Sequence, residues 1–273
     1  MKGKRLIGGL LMLLVCFIAQ ARTYEAIVAD VDKCIDRQDW KSAEKLLKEA
    51  LELEPGNPNN FLLISNLGTV HRNMGLLSES LADYNLALSI TPNATTILHN
   101  RASLYLELDS AKAAFNDYRR IVALNGQDCV ARNYLGFIAM EFGEMEQAKS
   151  CFDEVLKINP AEPDAKRGLA LWNKLNGNYK EAVALYSEII GREDRFTNFM
   201  NRAECYVELE MFDEAQADLH EAQKHEPSNP DIFLLKAKMA QMQFRYDDAA
   251  SYAKQAKELG CDESLVAPFL KKM

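Results

Sequence analysis

The chain has 273 residues, a formal net charge of −8 and only four histidines. Acidic residues outnumber basic ones, and no cluster of lysines and arginines follows the first few positions. Nucleic-acid binding needs a basic patch to engage phosphates, so this charge distribution argues against it. The composition is that of a soluble protein with an acidic surface.

Residues 1–21 differ from the rest of the chain. A basic start precedes an uncharged apolar stretch that ends in a small-x-small triplet at Ala21, an order typical of a secretory signal peptide. The stretch is short for a membrane span, which needs roughly 20 apolar residues. Cys16 does not form a lipid-anchor motif, because Val15 stands where a small residue is required. We expect a cleaved signal and an exported, periplasmic protein; a retained membrane anchor or secretion are the alternatives.

The cysteines that follow this segment do not form a disulfide pattern. Their number is odd, and none of them belongs to a CxxC pair. They are Cys34, Cys129, Cys151, Cys205 and Cys261. We expect them to be small buried apolar side chains, and whether two of them form a bridge stays open.

From the first repeat onward, a small residue recurs every 33 to 37 residues. An apolar residue follows four positions later and another three positions after that, so these columns share one helix face. The small residues are Ala43, Ser80, Ala114, Ala148, Ala182, Ala215 and Ala249. A fixed period of this length predicts an array of helical repeats.

A second small residue lies about twelve positions before each member of this column and predicts a second, closely packed helix. Those residues are Val31, Gly68, Ala102, Gly136, Ala170, Ala203 and Ala237. Prolines end several of the predicted second helices, and Gly75, Gly143 and Gly177 fall between the two helices of their repeats. The pattern therefore predicts alternating helices and turns.

These columns resemble the tetratricopeptide repeat (TPR) family. Its pattern of small, aromatic and proline residues is clear in NLGTVHRNMGLLSESLADYNLALSITP from Asn66 and in NRAECYVELEMFDEAQADLHEAQKHEP from Asn201. The resemblance implies an all-α fold, a right-handed superhelical α-solenoid of about seven helix pairs over residues 22–263. The expected repeats are 24–57, 61–94, 95–128, 129–162, 163–195, 196–229 and 230–263.

The first repeat departs from the family pattern, with Asp30 and Cys34 where leucine and tyrosine are preferred. At the other end, residues 264–273 are expected to form a short cap. There, Leu265, Phe269 and Leu270 offer an apolar lid for the last repeat.

No catalytic or metal-binding motif occurs. The sequence lacks GxSxG, GxGxxG, HExxH and phosphate-loop patterns. Acidic pairs such as Asp213 with Glu214 stand at predicted helix starts, where carboxylates favour the positive end of the helix dipole. We therefore expect a protein that is not an enzyme and binds no cofactor and no metal.

The resemblance further implies that the leading helix of each repeat lines a concave groove in which a peptide or protein segment binds. The middle of this predicted groove is unusually apolar, and its amide and basic side chains suit a peptide backbone and acidic groups. The groove residues predicted from the register are Asn66, Arg72, His99, Asn100, Asn133, Tyr134, Phe137, Met140, Arg167, Leu171, Lys174, Met200 and Asn201. The alternative is that Phe137 and Leu171 pack within the array and the rest is ordinary surface.

The sequence thus predicts a non-catalytic interaction scaffold, an assembly or adaptor factor of the bacterial envelope with a protein or peptide partner. Two alternatives remain. The first is an accessory subunit of an enzyme complex, and the second is a membrane-tethered adaptor that keeps residues 1–21 as its anchor.

Overall fold

The computed structural model describes residues 22–193 and 195–270, and this part of the chain forms fifteen α-helices. The predicted signal peptide lies outside the described residues. The helices are α1 (Tyr24–Asp36), α2 (Trp40–Leu53), α3 (Asn60–Asn73), α4 (Leu77–Ile90), α5 (Thr95–Glu107), α6 (Ala111–Leu124), α7 (Cys129–Glu141), α8 (Met145–Ile158), α9 (Pro163–Leu175), α10 (Tyr179–Ile190), α11 (Phe196–Glu208), α12 (Phe212–His225), α13 (Pro230–Met242), α14 (Tyr246–Glu258) and α15 (Glu263–Leu270).

The chain divides after Leu124 into two compact bodies, which we call the N-terminal array (α1–α6) and the C-terminal array (α7–α15). Within each array every helix packs against the next one in the chain, so the helices form consecutive antiparallel pairs. The predicted fold class, an all-α solenoid of helix pairs, is confirmed. None of the helices in residues 22–193 and 195–270 has the length and apolar character needed to cross a bilayer.

The repeating columns of the sequence form the core. All seven small residues of the first column, from Ala43 to Ala249, are buried, as are the two apolar columns that follow them on the same helix face. The column on the first helix of each pair, from Val31 to Ala237, is buried as well. Small side chains at both sides of each helix crossing let the two helices approach closely enough to interlock.

Each pair turns through one residue in the left-handed backbone region, and this residue always lies five positions before the small residue of the second helix. The residue that follows it donates its N–H to the carbonyl oxygen five residues earlier, at 2.8–2.9 Å, which is the Schellman arrangement of a helix C-terminus. The seven residues, with φ between 53° and 77°, are Gln38, Gly75, Asp109, Gly143, Gly177, Glu210 and Phe244. The sequence prediction found only the three glycines.

The first repeat forms a complete pair despite its departures from the family pattern. Tyr24, Ile27 and Val31 of α1 are buried and pack with Leu47 of α2. The side chain of Thr23 accepts a hydrogen bond from the backbone of Ala26, which caps the helix start. Apolar residues at i, i+3 and i+7 therefore suffice to dock α1, and Asp30 lies partly exposed on its outer side.

A buried histidine connects three helices of the N-terminal array. The Nδ1 atom of His71 in α3 lies 2.6 Å from Asp83 in α4, and its Nε2 atom lies 3.5 Å from Glu44 in α2. Burial raises the pKa of Asp83, while the hydrogen bond to His71 opposes this rise. His71 thus has a structural role, since it contacts both α2 and α4.

Glycines in the C-terminal array make room for one aromatic ring. A Cβ atom at Gly136 would lie 2.6 Å from Phe152, and one at Gly168 would lie 2.3 Å from the same ring. Phe152 is fully buried in α8, between the first helix of its own pair and that of the next. Both glycines are therefore needed for close packing rather than for backbone freedom.

In two of the repeats, a buried ion pair joins the first helix to the second. In the C-terminal array, Arg202 of α11 donates two hydrogen bonds to Asp218 of α12, at 2.6 and 2.8 Å, and a third to Ser187 of α10. The next repeat has Lys236 in the place of Arg202 but no carboxylate opposite it, and its ammonium reaches Gln223 at 2.9 Å. Burial lowers the pKa of Lys236.

The last helix, α15, covers the end of the C-terminal array. Val266 is its fully buried residue, and Phe269 and Leu270 pack beside it against α13 and α14. Leu265, which the sequence suggested as part of the lid, is 52% exposed. Positions i, i+3 and i+4 from Val266 share one helix face, and Leu265, one turn before Phe269, lies at the edge of that face.

Candidate functional site

A surface pocket of about 400 Å³ opens on the C-terminal array, on the side formed by the first helices of its repeats. The first helices α9, α11 and α13 line it together with Tyr179 at the start of α10, and α15 adds an apolar wall. The lining residues are Lys174, Tyr179, Glu204, Glu208, Asp231, Leu234, Leu235, Lys238, Leu265 and Phe269. The volume lies in the range of pockets that hold ligands or peptide side chains.

Ion pairs between successive first helices cross this pocket. The ammonium of Lys174 in α9 contacts Glu204 in α11 and donates to the amide oxygen of Asn201 at 2.6 Å. One turn further along α11, Glu208 pairs with Lys238 of α13. Glu204 and Glu208 are four residues apart and lie on one face of α11. Through them, α11 forms ion pairs with both α9 and α13.

Sequence reasoning predicted only part of this pocket. Lys174 belongs to the predicted groove set and the same register continues through Glu204 and Leu234, whereas Glu208 and Lys238 are not among the predicted residues. Glu208 lies one helical turn after Glu204, and Lys238 one turn after Leu234. Extending the predicted face by four residues on each helix would have found both.

In the N-terminal array, a predicted groove residue also forms an ion pair between successive first helices. Arg72 of α3 forms a bidentate ion pair with Glu107 of α5 and donates to the hydroxyl of Ser103 at 2.9 Å. His99 lies edge-on to Tyr118, with ring centroids 5.9 Å apart. Asn66 and Asn100 are half-buried on the same two helices. The structure thus brings Arg72 into contact with the neighbouring repeat.

The aromatic and sulfur side chains predicted for the middle of the groove have different surroundings. Tyr134 is 40% exposed. Phe137 packs edge-to-face on Phe152, with centroids 5.0 Å apart, and Met140 packs against the same core cluster. Phe137 therefore contributes to the core of its own helix pair, and Tyr134 offers the larger accessible surface.

Two of the predicted groove residues have little surface for a partner to contact. Asn133 of α7 is 5% exposed and Met200 of α11 is 6% exposed. Met200 belongs to the apolar cluster between α11, α12 and α13. Met200 is therefore a core residue rather than a groove residue, and Asn133 has almost no accessible surface.

The remaining predicted residues are already engaged with neighbours. Arg167 contacts Asp164 and donates to Glu193 at 2.6 Å. Asn201 donates to the carbonyl oxygen of Thr197 at 2.8 Å while its own oxygen accepts from Lys174. Leu171 is half-buried on α9.

In the part of the chain that the structure covers, the titratable groups bear on metal binding and on thiol reactivity. No group of three His, Cys, Asp or Glu side chains there has the geometry to hold a metal ion. Burial raises the pKa of the Cys205 thiol to about 12, so the thiol stays protonated at neutral pH and lacks the thiolate character of a nucleophile.

The chain is similar to tetratricopeptide repeat proteins in sequence and in structure. The family's profiles match residues 63–94, 135–196 and 201–262. A tetratricopeptide repeat protein of known structure from Parabacteroides merdae is 31% identical, with a TM-score of 0.70, over 90% of this chain and 97% of that one.

Curated relatives are more distant. DnaJ homolog subfamily C member 3 of Homo sapiens is 26% identical over 179 residues, which cover 58% of this chain and 35% of that protein. Mitochondrial import receptor subunit TOM34 of Pongo abelii is 25% identical over 209 residues, which cover 62% of this chain and 68% of that protein. The chain spans about a third of the length of the first of these relatives. From the repeated profile matches and the similarity along nearly its whole length to a solved member, the chain belongs to the tetratricopeptide repeat family.

Proposed function

We propose that this protein is a scaffold that binds a peptide or protein segment along the first-helix side of its C-terminal array. The tetratricopeptide repeat is a protein–protein interaction repeat and is typically non-catalytic. The open pocket between α9, α11, α13 and α15 carries the proposal, because it combines accessible apolar side chains with charged groups.

Exposed Tyr134 extends the same kind of surface to α7, the first helix of the C-terminal array. Aromatic side chains with partial exposure are common anchors at protein interfaces, since they bury a large area at small entropic cost. A segment bound in this way would cross several repeats, with side chains entering the spaces between the first helices.

Site-specific photo-crosslinking tests this proposal. A photoreactive residue at Tyr134 or Lys238 should capture a partner from native extract, whereas the same residue at Lys224 on α12 should not. Lys224 is a suitable control because it lies on a second helix, in an exposed ion pair with Glu221. Equal capture from all three positions would show that the first-helix side has no special role.

For the cellular setting we propose export to the bacterial envelope and a role there as an assembly or adaptor factor. Support comes from the basic start, apolar middle and small-x-small end of residues 1–21. The apolar run favours a membrane-tethered adaptor as the second candidate, if the segment is retained. Mass spectrometry of the mature N-terminus separates the two, because Arg22 as the first residue means cleavage.

A further inference from the structure

We infer that the pocket walled by α15 binds a peptide segment in which an apolar side chain stands next to a basic one. The inference rests on the proposed function and specifies the chemistry of the partner. It follows from three features of the pocket: its apolar wall, the accessibility of its charged groups and the weakness of one of its ion pairs.

The apolar wall comes from the capping helix. Leu265 of α15 is 52% exposed, and it lines the pocket together with Phe269 of α15 and Leu234 of α13. Leu265 is not needed to dock α15, because Val266 fills that place in the core. An exposed leucine beside an open pocket is therefore available to contact an apolar side chain of a partner.

The accessible charge of the pocket is negative. Three carboxylates line it, from Glu204, Glu208 and Asp231, against the two ammonium groups of Lys174 and Lys238. The side chain of Lys174 is 18% exposed, whereas that of its partner Glu204 is 43% exposed. An incoming segment thus meets carboxylate oxygens more readily than the ammonium of Lys174, which favours a cation.

A basic side chain of the partner can bind at Glu208. The pair between Lys238 and Glu208 is exposed, with 45% and 35% of the two side chains accessible, and exposed ion pairs are weak. A lysine or arginine of the partner can replace Lys238 as the partner of Glu208, while Lys238 turns to solvent. An acidic side chain would have to compete with Glu204 and Asn201 for Lys174, or with Glu208 for Lys238, in a pocket with one carboxylate more than ammonium groups.

Fluorescence anisotropy with three labelled peptides of equal length and blocked ends tests the inference. The first has a Leu-Phe pair flanked by lysines, the second has glutamates in place of the lysines, and the third has serines in place of Leu-Phe. We expect the first to bind at least about tenfold more tightly than either of the others. Added salt should weaken its binding, because exposed charges are screened.

Variants of the full chain locate the binding. Glu208→Gln and Leu265→Ser should each weaken binding of the first peptide severalfold, and Lys238→Ala should strengthen it by freeing Glu208. Glu221→Gln on α12 is the matched control and should leave the affinity unchanged. Both Glu208 and Leu265 are exposed, so circular dichroism should show that these variants keep their helicity.

The inference is overturned if the glutamate peptide binds as tightly as the lysine peptide, if none of the peptides binds, or if Leu265→Ser has no effect. These results leave the proposed function intact when crosslinking from Tyr134 and Lys238 still captures a partner. Loss of selective crosslinking, in contrast, contradicts the proposed function itself.

Discussion

The guanidinium of Arg101 in α5 donates two hydrogen bonds to the Asp117 carboxylate in α6, from Nε to Oδ2 at 2.8 Å and from Nη2 to Oδ1 at 2.7 Å. Both side chains are largely buried, and a third nitrogen donates to Asn85 of the preceding pair at 2.7 Å. The hydrogen bonds that Arg101 donates to Asp117 raise the pKa of Arg101 above its already high value, so the charge is permanent.

Removing the carboxylate from this pair should destabilise the N-terminal array strongly. Asp117→Ala leaves the Arg101 charge buried without a partner, and we expect a loss of about 3–5 kcal/mol in the free energy of unfolding. The double variant Arg101→Met, Asp117→Leu should recover much of that loss, since it removes both charges. Urea unfolding, monitored by circular dichroism, measures the unfolding free energies of the single and the double variant. Removal of the exposed Glu221 carboxylate is the control, with an expected cost of no more than about 1 kcal/mol.

Replacing Lys236 should raise stability rather than lower it. Burial has lowered the pKa of this lysine, and its ammonium has an amide oxygen instead of a carboxylate as its partner. Lys236→Met should stabilise the C-terminal array at neutral pH by about 1 kcal/mol. Arg202→Met at the equivalent position of the preceding repeat is the control and should destabilise it, because Asp218 then loses its partner.

The effect of Lys236 on stability should depend on pH. The native state prefers the neutral amine, so the wild type has its full stability above the ordinary lysine pKa of 10.5 and loses stability as the pH falls through the lowered native pKa. The advantage of Lys236→Met should therefore grow from alkaline to neutral pH and then stay constant. A difference in unfolding free energy that is independent of pH over this whole interval would mean that the lysine is not desolvated.

Gly136 should not tolerate a side chain. A Cβ atom there would lie 2.6 Å from the ring of Phe152, which is fully buried, so Gly136→Ala should cost about 1–3 kcal/mol. Gly56→Ala is the matched control, because no atom lies within 4 Å of its Cβ position. Adding Phe152→Leu to Gly136→Ala should restore part of the melting temperature; a double variant no better than Gly136→Ala would place the strain elsewhere.

The left-handed turn residues offer a route to higher stability. Glu210 and Phe244 adopt φ of 59° and 61° without being glycine, and replacement by glycine should stabilise each turn by about 0.5–1 kcal/mol. Phe244 is 78% exposed, so little packing is lost with its ring. Gly143→Ala is the reverse control and should lower the melting temperature. A lower melting temperature for both glycine variants would contradict this account of the turns.

The repeat columns could be predicted from the sequence because they depend on side-chain volume and helix period alone. Ala114, Tyr118 and Ile121 share one face at spacings of four and three, and only burial of that face explains a column that recurs in every repeat. The same register would have located the left-handed residues, since each stands five positions before the small one. Asp109 and Phe244 were missed because the prediction looked for glycine rather than for the position.

The candidate site was harder to predict, because exposure depends on contacts between repeats. Tyr134, Phe137 and Met140 look equivalent along a helix, yet only Tyr134 is well exposed while Phe137 meets Phe152. Similarly, a sequence cannot tell that α15 leaves Leu265 at the surface and buries Val266. Which of two adjacent apolar residues faces solvent is decided by the angle at which the short helix docks.

The buried ion pairs disfavour some incorrect helix pairings during folding. If α5 docked against α8 instead of α6, Arg101 would face Cys151, and against α10 it would face Leu185, the residues at the position that Asp117 holds in α6. Neither residue can neutralise the guanidinium, so such a mispaired state would be disfavoured by several kcal/mol. The ion pair of Arg101 thus disfavours docking of α5 on α8 or α10, two of the second helices that have no carboxylate at this position.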